Sequence, residues 1–377
     1  MLKELTVTRV VFSCPPNAHG HILKMTAKRY WTSDSDANTE GLSLFFAHCV
    51  ASHKEQWEPI IPQIFQTQAG KALYHRVREA WAVDWQSHGE AGVLNRDLLS
   101  EDGVAAFEWG DAIAAFIRSP HLLGRRIVGI GHSGGARALV LSLRFLPEIP
   151  FTSLILIEPT MATPALYART MAPHIPAIVS ATRRKRDTWP SREEAGAWMG
   201  AREPWRRWNK TVFALFIEHG LVPTTTGSGD VTLKCDRRHE ARGMAHVEPH
   251  MSAVEVLGRL GGKVPVHLVW ANGSELPLSL FPPLSIIRYT SSFSYYAIRR
   301  KANPDARSPR IMQDALSARA DVDADGNEKQ NGRRFASITR LEGGHRIVQE
   351  SPDEVARAIC HALDSISVTD RGERSRL

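Results

Sequence analysis

The sequence predicts an α/β protein, a mostly parallel central sheet with helices on both faces and an inserted helical lid. Three observations predict it. Short apolar runs of strand length end in polar loop residues, amphipathic helical stretches alternate with them, and about 100 residues in the middle break that rhythm before it resumes. A chain of 377 residues, 43% hydrophobic and 23% charged, is long enough to bury a large core.

The first run, Leu42–His48, reads Leu-Ser-Leu-Phe-Phe-Ala-His, the pattern of a buried parallel strand that opens into a loop. Val77–Val83 follows and ends at Asp84; then come Arg126–Ile130, ending at Gly131, and Thr152–Ile157, ending at Glu158-Pro159. Between them, Gly103–Ile117 and Ala136–Phe145 space their apolar residues as helices do. From Thr160 to Gly261 the patterning is mostly helical, with a basic run Arg183–Arg186 and tryptophans at 189, 198, 205 and 208, as expected of an insertion laid over the sheet. Strands resume at Lys263–Trp270 and Arg334–Arg340, and a last helix is expected over Pro352–Leu363. The polar stretch Asn303–Gly332 is expected to be an exposed loop. These boundaries divide the chain into a core (1–159 and 262–366), a lid (160–261) and an exposed tail (367–377).

Composition removes several function classes. No stretch approaches the roughly 18 apolar residues of a spanning helix. Glu4 and Arg9 interrupt the place where a secretory signal would need an apolar core, so no export is expected. The four cysteines (Cys14, Cys49, Cys235, Cys360) are far apart, which argues against a disulfide framework and a structural zinc site, and a reducing interior is expected. The net charge of +7 would suit a nucleic-acid partner, but no recognition motif accompanies it and none is expected. No metal or organic cofactor is expected either.

The sharpest motif is Gly131-His132-Ser133-Gly134-Gly135, a G-x-S-x-G between a strand and a helix. A sharp strand-to-helix turn exposes the serine hydroxyl, and only very small residues two before and two after it let the chain pass closely. Ser133 is therefore the expected nucleophile, and the Gly134 amide, at a helix N-terminus, an expected oxyanion donor. The chain order Ser, acid, His points to His345, in the loop Glu342-Gly343-Gly344-His345 after the last strand, as the base. The acid is Glu158, at the end of the strand after the elbow, or Glu275, after the strand that follows the insertion. The second oxyanion amide is expected from Val50, in His48-Cys49-Val50, where cysteine replaces the glycine such loops carry. Cys49 is a weaker candidate nucleophile, because it lacks the elbow. Trp189 and Trp205 either roof an acyl pocket or form the insertion's own core. Arg183 and Arg186 either face the phosphates of coenzyme A or belong to a solvated helix face.

On these residues, from Val7 to Leu363, the chain resembles the α/β-hydrolase superfamily. Within it, His53–Pro59, Glu79–Glu90, Val93–Asn95, Trp208-Asn209, Glu218–Leu221 and Val231–Cys235 look like the fungal peroxisomal hydrolases, a group with members in mycophenolic acid and toxin biosynthesis. The resemblance implies a Ser–His–acid thioesterase or esterase with a helical lid, acting on a small-molecule acyl substrate with CoA among the candidate carriers. In that group the acid follows the strand after the elbow, where Glu158 stands. Acyl transfer, lactonisation and carbon–carbon bond formation or cleavage are the alternative chemistries of the fold. The closing residues Ser375-Arg376-Leu377 fit a tripeptide address read by the peroxisomal import receptor. The oligomeric state stays open, a homodimer among the options.

Overall fold

A computed structural model describes residues 4–225, 229–260, 262–273 and 335–366. Glu275, the stretch 303–332 expected to be a loop, and residues 367–377 with the closing tripeptide lie outside the described residues.

The main sheet has eight strands: β1 (Thr6–Ser13), β2 (Lys24–Trp31), β3 (Leu42–Ala47), β4 (Val77–Val83), β5 (Arg126–His132), β6 (Phe151–Ile157), β10 (Val266–Ala271) and β11 (Ser337–Leu341). Their order is β1-β2-β4-β3-β5-β6-β10-β11, parallel from β4 to β11, with β1 and β2 antiparallel at one edge. This is the expected α/β architecture. Two strands carry no buried apolar run: β1, Thr-Val-Thr-Arg-Val-Val-Phe-Ser, is an edge strand whose side chains are mostly exposed, and β2, though mostly buried, holds Lys24, Thr26, Lys28 and Arg29 among its eight residues.

The interior strands are buried on both faces, and their period of two divides the core. Phe45, Ile127, Leu154 and Leu156 pack on one side with the helices Ala106–Arg118 and Gly134–Ser142. Leu44, Phe46, Val128, Ile130, Ile155 and Ile157 pack on the other with the helices Ile61–Gln68 and Pro352–Asp364. Each such side chain contributes about 1.5–3 kcal/mol on full burial.

The chain leaves this sheet after β6 and re-enters beside it at β10. The insertion is not only helical. It contains a small antiparallel sheet of β7 (Thr188–Trp189), β8 (Leu221–Pro223) and β9 (Val231–Leu233), in the order β7-β9-β8. Two- and three-residue strands carry too little periodicity to be read from sequence. Trp189, Met199, Trp208, Val212, Phe216 and Leu221 form a separate core within the insertion. It rests on the loops at the carboxyl ends of the strands: Phe216 stacks on His53 with ring centroids 5.8 Å apart, and Asn209 donates its N–H to Gln349 O (2.8 Å).

Candidate active site

Strand register sets the site. His132 pairs with Ile157 and Ala271 with Leu341, so β5, β6, β10 and β11 deliver the residues after them to one end of the sheet. Ser133 N–H donates to Ile157 O (2.9 Å), and Glu158 N–H to Val269 O (2.8 Å), which fixes the two residues side by side.

The elbow is strained as the motif requires. Ser133 has φ 54°, ψ −114°, and leads directly into the helix Gly134–Ser142. A Cβ on Gly131 would lie 2.5 Å from Ala136 Cα, so the chain cannot carry a side chain two residues before the serine.

His345 accepts the Ser133 hydroxyl hydrogen at Nε2 (2.9 Å) and donates from Nδ1 to Glu158 Oε2 (3.0 Å). The other oxygen, Glu158 Oε1, accepts the Ala271 N–H (2.6 Å), which holds the carboxylate in place. All three residues are buried. Burial lowers His345 to about 4, against the opposing pull of Glu158, so at neutral pH the imidazole is uncharged and able to take a proton. His132 donates from Nε2 to the His345 carbonyl (2.9 Å). That position is the variable residue before the serine, and no sequence signal marked it.

The Val50 amide faces the elbow, since a Cβ on Gly134 would lie 3.7 Å from Val50 N. Among the described residues neither the Val50 nor the Gly134 N–H is taken by an acceptor. His48 shapes this turn: Nδ1 donates to Cys49 O (2.7 Å) and Nε2 accepts the Trp85 N–H (3.1 Å). Cysteine replaces glycine at 49 without strain, because the positive φ falls two residues later, at Ala51 (φ 61°). Burial alone would raise the Cys49 thiol, but neighbouring His132 and Arg346 and the hydrogen bond from Gln349 Nε2 (3.4 Å) outweigh it and leave it at about 7.

A cavity of about 510 Å³ lies between the insertion and these loops. It is lined by Ala51 and Arg346, the chain neighbours of Val50 and His345; Ser133 and His345 do not line it. Trp205 lines it, as does Arg186, whose guanidinium lies 5.7 Å from the ring centres of both Trp189 and Trp198. Two expected lining residues do not. Trp189 is turned into the insertion's own core, and Arg183 points to solvent from the last turn of the helix Ile175–Arg184. Trp198, Trp208, Arg184 and Arg202 stand on the wall instead. The basic run marked the right segment, but the helix ends at Arg184, and that break in period decides which of its side chains face inward.

The buried histidines carry a pH prediction. Burial takes His48, His267 and His345 to about 4, and His88 and His250 well below their ordinary value of 6.5. The unfolded chain then binds more protons than the folded one between about pH 6.5 and 4, so their stabilising effect is full above 6.5 and is lost as pH falls through that window. Thermal melts should show Tm dropping steadily from pH 7 to pH 5; a flat Tm over that range would contradict the burial.

A parallel sheet with a serine at a strand-to-helix elbow, bonded to a histidine and through it to a carboxylate, defines the class of α/β hydrolases. The chain belongs to the alpha/beta hydrolase family, whose model matches residues 44–358. It is 30% identical over 177 residues to the type I acyl-CoA thioesterase mpaH of Penicillium brevicompactum, covering 46% of this chain and 38% of that protein. A Penicillium roqueforti mpaH is 28% identical over 177 residues, covering 46% and 39%. The match thus spans well under half the length of these relatives. Among solved structures, the peroxisomal alpha-beta-hydrolase Lpx1 of Saccharomyces cerevisiae matches with a TM-score of 0.67 at 16% identity, covering 96% of this chain and 90% of that one. A thermophilic esterase from Thermogutta terrifontis matches at 0.54 and 15%, covering 95% and 99%.

Proposed function

We propose that this protein hydrolyses acyl thioesters or esters through an acyl-serine intermediate, with acyl-CoA the preferred carrier. The observation that carries the proposal is the unbroken chain of hydrogen bonds from Ser133 through His345 to Glu158, beside two backbone amides that no acceptor takes among the described residues.

His345 Nε2 takes the Ser133 proton as Oγ attacks the carbonyl carbon, and the amides of Val50 and Gly134 hold the oxyanion. Glu158 fixes the tautomer with the proton on Nδ1 and stabilises the imidazolium. The carbon–sulfur or carbon–oxygen bond then breaks, and the leaving group departs with the proton from Nε2. Water, activated by the same nitrogen, attacks the acyl-serine and releases the acid.

CoA as carrier is supported by the similarity to the Penicillium thioesterases and by the cations Arg184, Arg186 and Arg202 on the cavity wall, which suit a phosphate-bearing carrier. A peroxisomal reaction in fungal secondary metabolism belongs to the same proposal. It draws on the yeast neighbour's peroxisomal setting and on the fungal thioesterase relatives.

Intact-mass spectrometry after brief exposure to a panel of acyl-CoAs and matched simple esters tests this reading. The expected result is an acyl adduct on Ser133, formed at lower concentration from the CoA thioesters. Turnover without an adduct at Ser133 would overturn it.

A further inference from the structure

We propose that the cavity beside the site receives an acyl group carrying a second, anionic terminus, a carboxylate, and that Arg346 binds it. The inference deepens the thioesterase reading and rests on it.

Arg346 directly follows the proposed base, lines the cavity and is only 5% exposed. A guanidinium stays charged at any working pH, and burying one without a counter-ion is costly. Among the described residues no carboxylate pairs with it. Its side-chain contact is Cys49 Sγ, 3.8 Å from Nη1, a thiol that titrates at about 7 and so neutralises the guanidinium only in part, and among the described residues its Nε has no partner.

The other cations on the wall are exposed or half-buried, and Arg184 and Arg186 reach solvent. Lys185 pairs with Glu240, and Arg202 donates to Trp198 O (2.7 Å) while lying 4.3 Å from the Trp198 ring centre. Arg346 is thus the one cation of this wall that is buried, and the planar fork of its donors matches a carboxylate.

The rest of the wall suits the chain that would carry this carboxylate. Trp205, Trp208, Phe216 and Leu233 offer apolar surface for methylenes. His53 is also buried on that wall, with Nδ1 bonded to Glu55 (3.0 Å) and, among the described residues, no partner at Nε2. In a CoA thioester the pantetheine arm separates the phosphates from the reacting carbonyl, and Arg346, the chain neighbour of His345, stands at the carbonyl's end of the cavity, apart from the exposed Arg184 and Arg186. An anion at Arg346 therefore belongs to the acyl group.

The test compares kcat/KM for succinyl-, adipoyl- and suberoyl-CoA with butyryl-, hexanoyl- and octanoyl-CoA. The best diacid thioester should exceed its monoacid partner by about 10- to 100-fold, the range of a charge-assisted bond. Arg346→Gln should collapse that ratio, and Arg346→Lys should recover part of it. Equal or reversed preference in the wild type, or an unchanged ratio in Arg346→Gln, overturns the inference. Should the variants not fold, free adipate must inhibit the wild-type protein more strongly than hexanoate; equal inhibition also overturns it. Hydrolysis of monoacid thioesters without diacid preference sinks this inference alone. Failure of every thioester to turn over, with no acyl on Ser133, sinks the thioesterase reading and this inference together.

Discussion

Ser133→Ala is expected to lower kcat by about 10⁴-fold or more while leaving the fold in place. The hydroxyl is the atom that bonds to the acyl carbon, and no nearby group replaces it. Cys49, the other nucleophile in the vicinity, is held by Gln349, Arg346 and the neighbouring His132, but it sits on the oxyanion turn rather than on the elbow and is not the group bonded to His345. Structure should survive because the elbow geometry does not depend on the hydroxyl. The backbone bond to Ile157 O stays, alanine is no more strained than serine at φ 54°, and the glycine flanks are unchanged. Steady-state kinetics with an acyl-CoA, read beside circular dichroism and Tm, checks both halves. A variant that keeps a tenth of the wild-type rate, or still accumulates the acyl adduct, would remove Ser133 from the mechanism.

The parts of the molecule that were legible in sequence are those where one physical demand dominates. β3, β5 and β6 are buried on both faces, so their residues are nearly all apolar and the strands declare themselves. The elbow declares itself because close backbone passage tolerates no side chain: a Cβ on Gly135 would lie 2.2 Å from Ala47 O. What was hidden depends on distant partners. Arg346 and His132 owe their places to the convergence of β5 and β11, which no local pattern encodes. Trp189 and Trp205 look alike in sequence, yet one fills the insertion's core and the other the cavity wall, because that choice is set by the β7–β9 pairing.

Glu158→Gln is expected to reduce kcat/KM by about 10⁴-fold, the loss seen when a triad acid becomes an amide. Glutamine keeps the shape of the side chain, and its carbonyl oxygen can still accept the Ala271 N–H, so the fold should hold. Its NH₂ then faces His345 Nδ1 and donates to it. That drives the imidazole proton to Nε2, where it points at Ser133 and can no longer accept the hydroxyl hydrogen. The base is not removed but turned into the wrong tautomer, and it also loses the carboxylate that stabilises its charged form. Glu158→Ala should cost stability as well, by about 1–3 kcal/mol, because the Ala271 amide would be left buried without a partner. The same series separates the two acids that chain order allows. Glu275→Gln should stay within a few fold of wild type; if it abolishes turnover while Glu158→Gln retains it, the carboxylate behind His345 is not Glu158. The close contact on both Glu158 oxygens, one to the imidazole and one to the β10 terminus, is why the first outcome is expected.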